Sequence, residues 1–146
     1  MKFDVKIKKL TENAVIPTYG SEFSAGADLY SAMDDVTIGA GETMLIHTGI
    51  ALELPTGYAG LIYARSGLAT KRGLAPANKV GVVDCDYRGE IMVALHNHSN
   101  IPQTVASGER IAQLVITPYV VADFELTDSL SDTVRGAGGF GSTGTK

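Results

Sequence analysis

Asp84 follows directly on the apolar run Val80-Gly81-Val82-Val83, and Cys85, Asp86 and Tyr87 come next. A carboxylate where a strand leaves the core has three uses. It can close the strand in an Asx turn, ligate a metal, or act as a general base on water if partial burial raises its pKa. In an extended chain Asp84 and Asp86 project to one side and Cys85 to the other. Tyr87 offers a flat apolar face to a ring beside that carboxylate. The spacing alone leaves all three uses open.

Arg65-Ser66-Gly67-Leu68-Ala69 has the residues of an anion site, with free N–H groups at a helix start and the bidentate fork of Arg65. The plainer reading is a Ser66 N-cap with Arg65 in solvent. The chain ends in Arg135-Gly-Ala-Gly-Gly-Phe-Gly-Ser-Thr-Gly-Thr-Lys146, which holds five of its seventeen glycines. Bare N–H groups, Arg135 and the hydroxyls of Ser142 and Thr143 suit phosphate, and Phe140 suits stacking on a flat base. No helix follows, so this is unlike a nucleotide loop between strand and helix; the two readings left are a lid and a disordered terminus, and Phe140 favours the lid. Asp28 and Gln113 each interrupt an apolar pattern and must find a polar partner. His96 and His98 stand two apart with no third ligand at metal spacing and read as exposed. Cys85 reads as a small packed residue.

These groups need a β scaffold. Phe3, Val5 and Ile7 alternate with Asp4, Lys6 and Lys8, and Thr43 to Leu54 and Ile91 to Asn97 alternate in the same way. Gly, Pro, Asp and Asn punctuate the chain at short intervals, which predicts many short strands in a sandwich, barrel or jelly roll. A single short helix is predicted over Ser66 to Arg72, ended by Gly73. The apolar periodicity fades beyond about Asp128. We therefore expect one β domain over residues 1–130 and a glycine-rich arm over 131–146.

Composition narrows the partners. At 146 residues the chain is one domain, and its net charge of -4 argues against a duplex nucleic-acid binder. Any anion must then be met by a few placed arginines. One cysteine gives no intrachain disulfide framework, and no segment has signal-peptide or membrane-span character. The expectation is a cytoplasmic protein that binds neither nucleic acid nor membrane.

Taken in order, five stretches resemble the motifs of the trimeric dUTP pyrophosphatases. They are Ala25-Gly-Ala-Asp-Leu29, Arg65-Ser-Gly-Leu-Ala69, Gly81-Val-Val-Asp-Cys-Asp-Tyr-Arg-Gly-Glu90, Gly108-Glu-Arg-Ile-Ala-Gln-Leu114 and Arg135-Gly-Ala-Gly-Gly-Phe-Gly-Ser-Thr-Gly144. They span nearly the whole chain, and five ordered matches are specific where each alone is ambiguous. The resemblance implies an all-β, jelly-roll-like (β-clip) protomer in a homotrimer with active sites shared between subunits. It further implies Mg2+-assisted hydrolysis of dUTP to dUMP and pyrophosphate, which keeps uracil out of DNA and supplies dUMP for thymidylate synthesis.

By that resemblance Asp84 deprotonates the water that attacks the α-phosphorus, and Tyr87 lies against the deoxyribose and excludes a 2'-hydroxyl. A hairpin carrying Asn78 and leading through Gly81, Val82 and Val83 reads uracil, with Met92 a further contact. Arg65, Ser66, Gly67 and Gln113 hold the phosphates, with Ser66 near the oxygen that leaves. Asp28 meets Mg2+ only through water, the ion being held mainly by the triphosphate. Arg135, Phe140, Gly141, Ser142 and Thr143 form the lid, with Phe140 over uracil. Cys85 fills the variable place between the aspartates, and Ala64 stands where the family often has proline. The competing readings are a dCTP deaminase of the same fold and a trimeric nucleotide sensor without turnover. The hairpin and the Asp84-Cys-Asp-Tyr87 pattern argue against the first, and an intact Asp84 with an intact arm argues against the second.

Overall fold

The computed structural model describes residues 3–140. Eleven strands and one helix follow one another as β1 (Lys6–Lys9), β2 (Thr18–Tyr19), β3 (Ala27–Tyr30), β4 (Val36–Ile38), β5 (Thr43–Glu53), β6 (Tyr58–Tyr63), α1 (Ser66–Arg72), β7 (Leu74–Pro76), β8 (Gly81–Val83), β9 (Glu90–Asn97), β10 (Gln103–Val105) and β11 (Arg110–Pro118). They form three antiparallel sheets. One has the order β1-β5-β9-β7, another β2-β3-β11-β6-β8, and β10 pairs with β4 in a third. This is the jelly-roll-like, all-β architecture that the alternating pattern predicts.

The alternation explains the layers. Along β9 every second residue, Ile91, Val93 and Leu95, is buried, and Met92 and Ala94 between them are less so. The buried set joins Ile46, Ile50 and Leu52 of β5, Leu29 of β3, Ile62 of β6 and Ile111 and Leu114 of β11 in one core between the sheets. Burying a side chain of this size contributes roughly 1.5 to 3 kcal/mol, which makes this core the main source of stability.

Helix α1 is set by its ends and one anchor. Leu68 is buried, and Gly73 closes the helix in the left-handed region at φ 66, donating to Ala69 and Leu68 carbonyls. A Cβ at Gly73 would stand 2.9 Å from the Ser99 nitrogen, so this position requires glycine on two counts. Arg72 ties the same end to the Glu109 carboxylate and, at 3.2 Å, to Gln103 Oε1. The end of the helix is thereby held beside the turn that leads into β11. The predicted helix and its terminator agree with the structure, but the cap does not. Arg65 is the N-cap, without a side-chain cap hydrogen bond, and Ser66 is the first helical residue.

Candidate active site

The five-stranded sheet builds the phosphate half. Asp28 on β3 faces Gln113 on β11, and Gln113 faces Tyr63 on β6, so three polar side chains fall in one row across three strands. Both interruptions of the apolar pattern find partners. Gln113 donates to the Ala64 carbonyl at 2.8 Å, fixing the link from β6 to α1. Asp28 accepts from Arg65 Nε at 2.7 Å and from Arg110 Nη1 at 3.2 Å. A Cβ at Gly26 would stand 2.5 Å from Gln113 Oε1, so glycine is needed there to seat the amide. Arg65 is thus aimed by a carboxylate before any ligand arrives. Asp28, Tyr63, Arg65 and Gln113, with Ser66 and Gly67, line a cavity of about 400 Å³. Nothing approaches within 4 Å of a Cβ position at Gly67, so the space there is open to a ligand.

The second half lies at the ends of β7, β8 and β9. Asn78, Gly81, Val82, Val83, Asp84, Tyr87 and Met92 line a cavity of about 270 Å³ together with Glu90. Gly81 pairs with Ile62 of β6 and is buried against it, while a Cβ there would also press on Asn78 Nδ2 at 3.4 Å. The backbone of β8 therefore runs close under the pocket. The expected hairpin is not one. Among the described residues β7 pairs with β9 alone and β8 with β6 alone, so Asn78 to Val80 cross from one sheet to the other. Lys79 takes the turn at φ 65 and donates to the Pro76 carbonyl at 3.0 Å. The Ala77 N–H still donates to the Ala94 carbonyl of β9 at 2.7 Å, and pairing resumes with a new partner at Gly81.

Asp84 to Tyr87 also departs from the extended geometry read from the sequence. The Tyr87 N–H donates to the Asp84 carbonyl at 3.2 Å, closing a turn, and Arg88 Nη1 donates to the Cys85 and Tyr87 carbonyls at 2.7 and 3.2 Å. The turn brings Asp84 to the surface: in the single chain it is exposed, not partly buried. Cys85 packs against the core as expected, and its Sγ lies 3.6 Å from the Tyr119 hydroxyl. That hydrogen bond, with the charges of Asp84 and Asp86 adding to it, holds the Tyr119 phenol above its ordinary pKa. The root of the C-terminal arm is thereby placed beside the Asp84 turn.

The two cavities share no lining residue. Ile62 lines one and Tyr63 the other, and successive residues of a strand point to opposite faces. The described part of the arm lines neither cavity: Val120 to Phe140 are exposed, and their hydrogen bonds among the described residues are local. Arg135 and Phe140 thus stand clear of both halves, while Gly141, Ser142 and Thr143 lie outside the described residues. Val120, Val121, Phe124, Leu126 and Leu130 in this arm are apolar and uncovered.

Among the described residues no three of His, Cys, Asp and Glu gather to hold a metal ion. Asp28, with both oxygens accepting from arginines, suits an ion that keeps its waters and is carried by substrate phosphates. No helix among the described residues is long and apolar enough to cross a membrane. Sequence reasoning passed over Arg110, Tyr63 and Glu90. Arg110 stands three residues before Gln113, which regular alternation would place on the opposite face; the register slip between Arg110 and Ala112 brings it to Asp28.

Comparison with known proteins agrees with this geometry. The sequence model of the dUTPase family matches residues 12–144. The deoxyuridine 5'-triphosphate nucleotidohydrolase of Nautilia profundicola is 53% identical over 140 residues, covering 96% of this chain and 98% of the relative. That of Maricaulis maris is 48% identical over 147 residues, covering 97% of each. Among solved structures, a variant of the Staphylococcus bacteriophage 80alpha dUTPase with dUpNHpp superposes with a TM-score of 0.90 at 27% identity, covering 98% of this chain and 99% of that one. With the family match running through nearly all of its length and these relatives aligned end to end, the chain belongs to the dUTPase family.

Proposed function

We infer that this chain hydrolyses dUTP through a water held by Asp84, in sites that close between copies of the chain in a homotrimer. Hydrolysis of dUTP to dUMP follows from the family; the division of labour among residues is our reading. Asp84 accepts a proton from the water as its oxygen attacks the α-phosphorus. The bond to the α,β-bridging oxygen breaks in line, and pyrophosphate leaves. Arg65, Ser66, Gly67 and Gln113 hold the phosphates, with Ser66 at the bridging oxygen. Asn78 and the β8 backbone from Gly81 to Val83 read uracil, Met92 borders the same pocket, and Tyr87 packs on the deoxyribose. Such a site works by positioning and charge neutralisation. Mg2+, when bound, supplies charge neutralisation on the triphosphate, and Asp28 would reach it only through water. Arg135, Phe140, Gly141, Ser142 and Thr143 act as the lid. The protein works in the cytoplasm, where dUTP must be removed before it reaches DNA.

One observation carries the shared site. The base-side cavity with Asp84 and the anion-side cavity with Arg65 are separate in one chain, and the described residues of the arm line neither. A second copy brings one half against the other and buries Asp84, and another contributes the arm. Mixing Asp84→Asn chains with arm-deleted chains under conditions of subunit exchange should therefore restore pyrophosphate release that neither has alone. An active monomer in light scattering would refute the arrangement. Steady-state pyrophosphate release from dUTP against dCTP tests the reaction itself, and dUTP should be preferred strongly.

The sugar contact has its own test. A base site built of hydrogen-bonding groups discriminates by unpaired polar groups, by ~10⁴-fold or more. Tyr87 acts elsewhere, on the 2' position. Tyr87→Ala is expected to erode the preference for dUTP over UTP more than the preference for uracil over cytosine, as read from kcat/KM. Equal loss of both preferences would place the ring away from the sugar.

A further inference from the structure

We propose that Glu90 is a positioning residue for sugar discrimination, holding Tyr87 against the deoxyribose from a rigid bulge in β5. This rests on the reading of Tyr87 given above. The pairing of β5 with β9 slips between His47, which faces Met92, and Ala51, which faces Glu90. Thr48, Gly49 and Ile50 thus oppose the single residue Ile91, and all four are buried. Gly49 sits at φ 67, and a Cβ there would stand 2.9 Å from that of Ala14, so the bulge has little freedom. The Thr48 hydroxyl donates to the Ile91 carbonyl.

Glu90 is fastened to this bulge by both carboxylate oxygens. Oε1 accepts from the Gly49 N–H at 2.9 Å, and Oε2 lies 2.9 Å from His47 Nδ1. Its backbone carbonyl accepts from the Tyr87 hydroxyl at 3.0 Å. Gly89 makes room for this contact, because a Cβ there would collide with the Tyr87 ring. The tyrosine ring is folded back over Gly89 and held at its tip by Glu90. Glu90 borders the same cavity as Tyr87 and Asn78, but with both oxygens engaged inside the protein it acts through the ring, not on substrate. Rejecting a ribonucleotide means rejecting one oxygen atom, and a ring displaced by about 1 Å makes room for much of it.

The test compares kcat/KM for dUTP, UTP and dCTP. Glu90→Ala should narrow the preference for dUTP over UTP about tenfold, the order of effect of one lost hydrogen bond, and leave the preference for dUTP over dCTP in place. Glu90→Gln, which keeps an acceptor for the Gly49 N–H, should recover most of the lost preference. Tyr87→Phe should narrow the same ratio, and the double variant Tyr87→Phe with Glu90→Ala should narrow it no further than the larger single effect. Equal losses on all three substrates in Glu90→Ala, or additive effects in the double variant, overturn the proposal. If Glu90→Ala does not fold, His47→Ala removes one of the two tethers and should narrow the ratio in part; an unchanged ratio overturns the proposal. If Tyr87→Ala itself leaves the dUTP-to-UTP ratio intact, the sugar reading fails and the proposal with it. If Tyr87→Ala erodes the ratio and Glu90→Ala does not, only the role of Glu90 fails.

Discussion

Asp84→Asn is expected to lower dUTP turnover by ~10²- to 10⁴-fold, the usual effect of removing a general base, while dUTP still binds. The amide keeps the size of the side chain and its hydrogen-bonding reach, so the turn closed by the Tyr87 N–H on the Asp84 carbonyl survives. Only the ability to accept a proton from water is lost. Binding should survive because, in the proposed site, the phosphates are held by Arg65, Ser66, Gly67 and Gln113, which line a cavity that Asp84 does not. Single-turnover hydrolysis set beside equilibrium titration with a non-hydrolysable dUTP analogue separates the two. Full turnover in the variant would remove Asp84 from the chemistry. Arg65 offers the contrasting case. Its Nε is occupied by Asp28 in the ligand-free chain, so loss of Arg65 also leaves a half-buried carboxylate short of a partner, and its effect would mix binding with local stability.

What the sequence made legible and what it hid follow from the range of the interactions involved. The strands β5 and β9 and the helix α1 are written locally, in alternation and in a terminal glycine, and residues 66–72 formed the helix expected of them. The carboxylate at the end of β8 and the polar insertions at 28 and 113 were visible because each breaks a local pattern. Partners were not. That Asp28 holds Arg65 and Arg110 depends on β3 and β11 lying side by side, across more than eighty residues of chain. The hairpin expected around Asn78 proved to be a crossing between sheets, since turn residues announce a change of direction but not which strand is met next. Likewise Asp84 to Tyr87 looked extended because no glycine or proline marks the turn, which is stabilised instead by backbone contact and by Arg88. Glu90 left no trace in the sequence, for a single acidic residue at a strand start is unremarkable until a bulge forty residues away supplies its partners.

Deleting the residues after Ser131 should leave a folded trimer that binds dUMP yet hydrolyses dUTP slower by orders of magnitude. The body does not need this segment: the core is complete without it, and the chain beyond Tyr119 makes no described hydrogen bond to the strands. Binding of dUMP should not need it either, because the nucleoside contacts fall to the Asn78 and Tyr87 side and dUMP has no γ-phosphate for the arm to grip. Turnover is different. Ordering a glycine-rich segment costs ~1 to 2 kcal/mol per residue in backbone entropy, so on the proposed reading closure is driven by ligand contacts, with Arg135 on the terminal phosphate and Phe140 on uracil, both exposed in the single chain. Closure then excludes bulk water and holds the α-phosphorus in line with the water on Asp84, a gain in orientation that a free phosphate chain lacks. Val120, Val121, Phe124, Leu126 and Leu130, just before the deleted segment, are exposed apolar residues. Truncation after Ser131 keeps that stretch and removes only the part that closes. Light scattering and dUMP titration should therefore match the full-length protein while pyrophosphate release falls. A truncated trimer that turns over dUTP at the full-length rate would show that the glycine-rich end is not a lid, and would leave Asp84 and the phosphate cavity to account for the whole of catalysis.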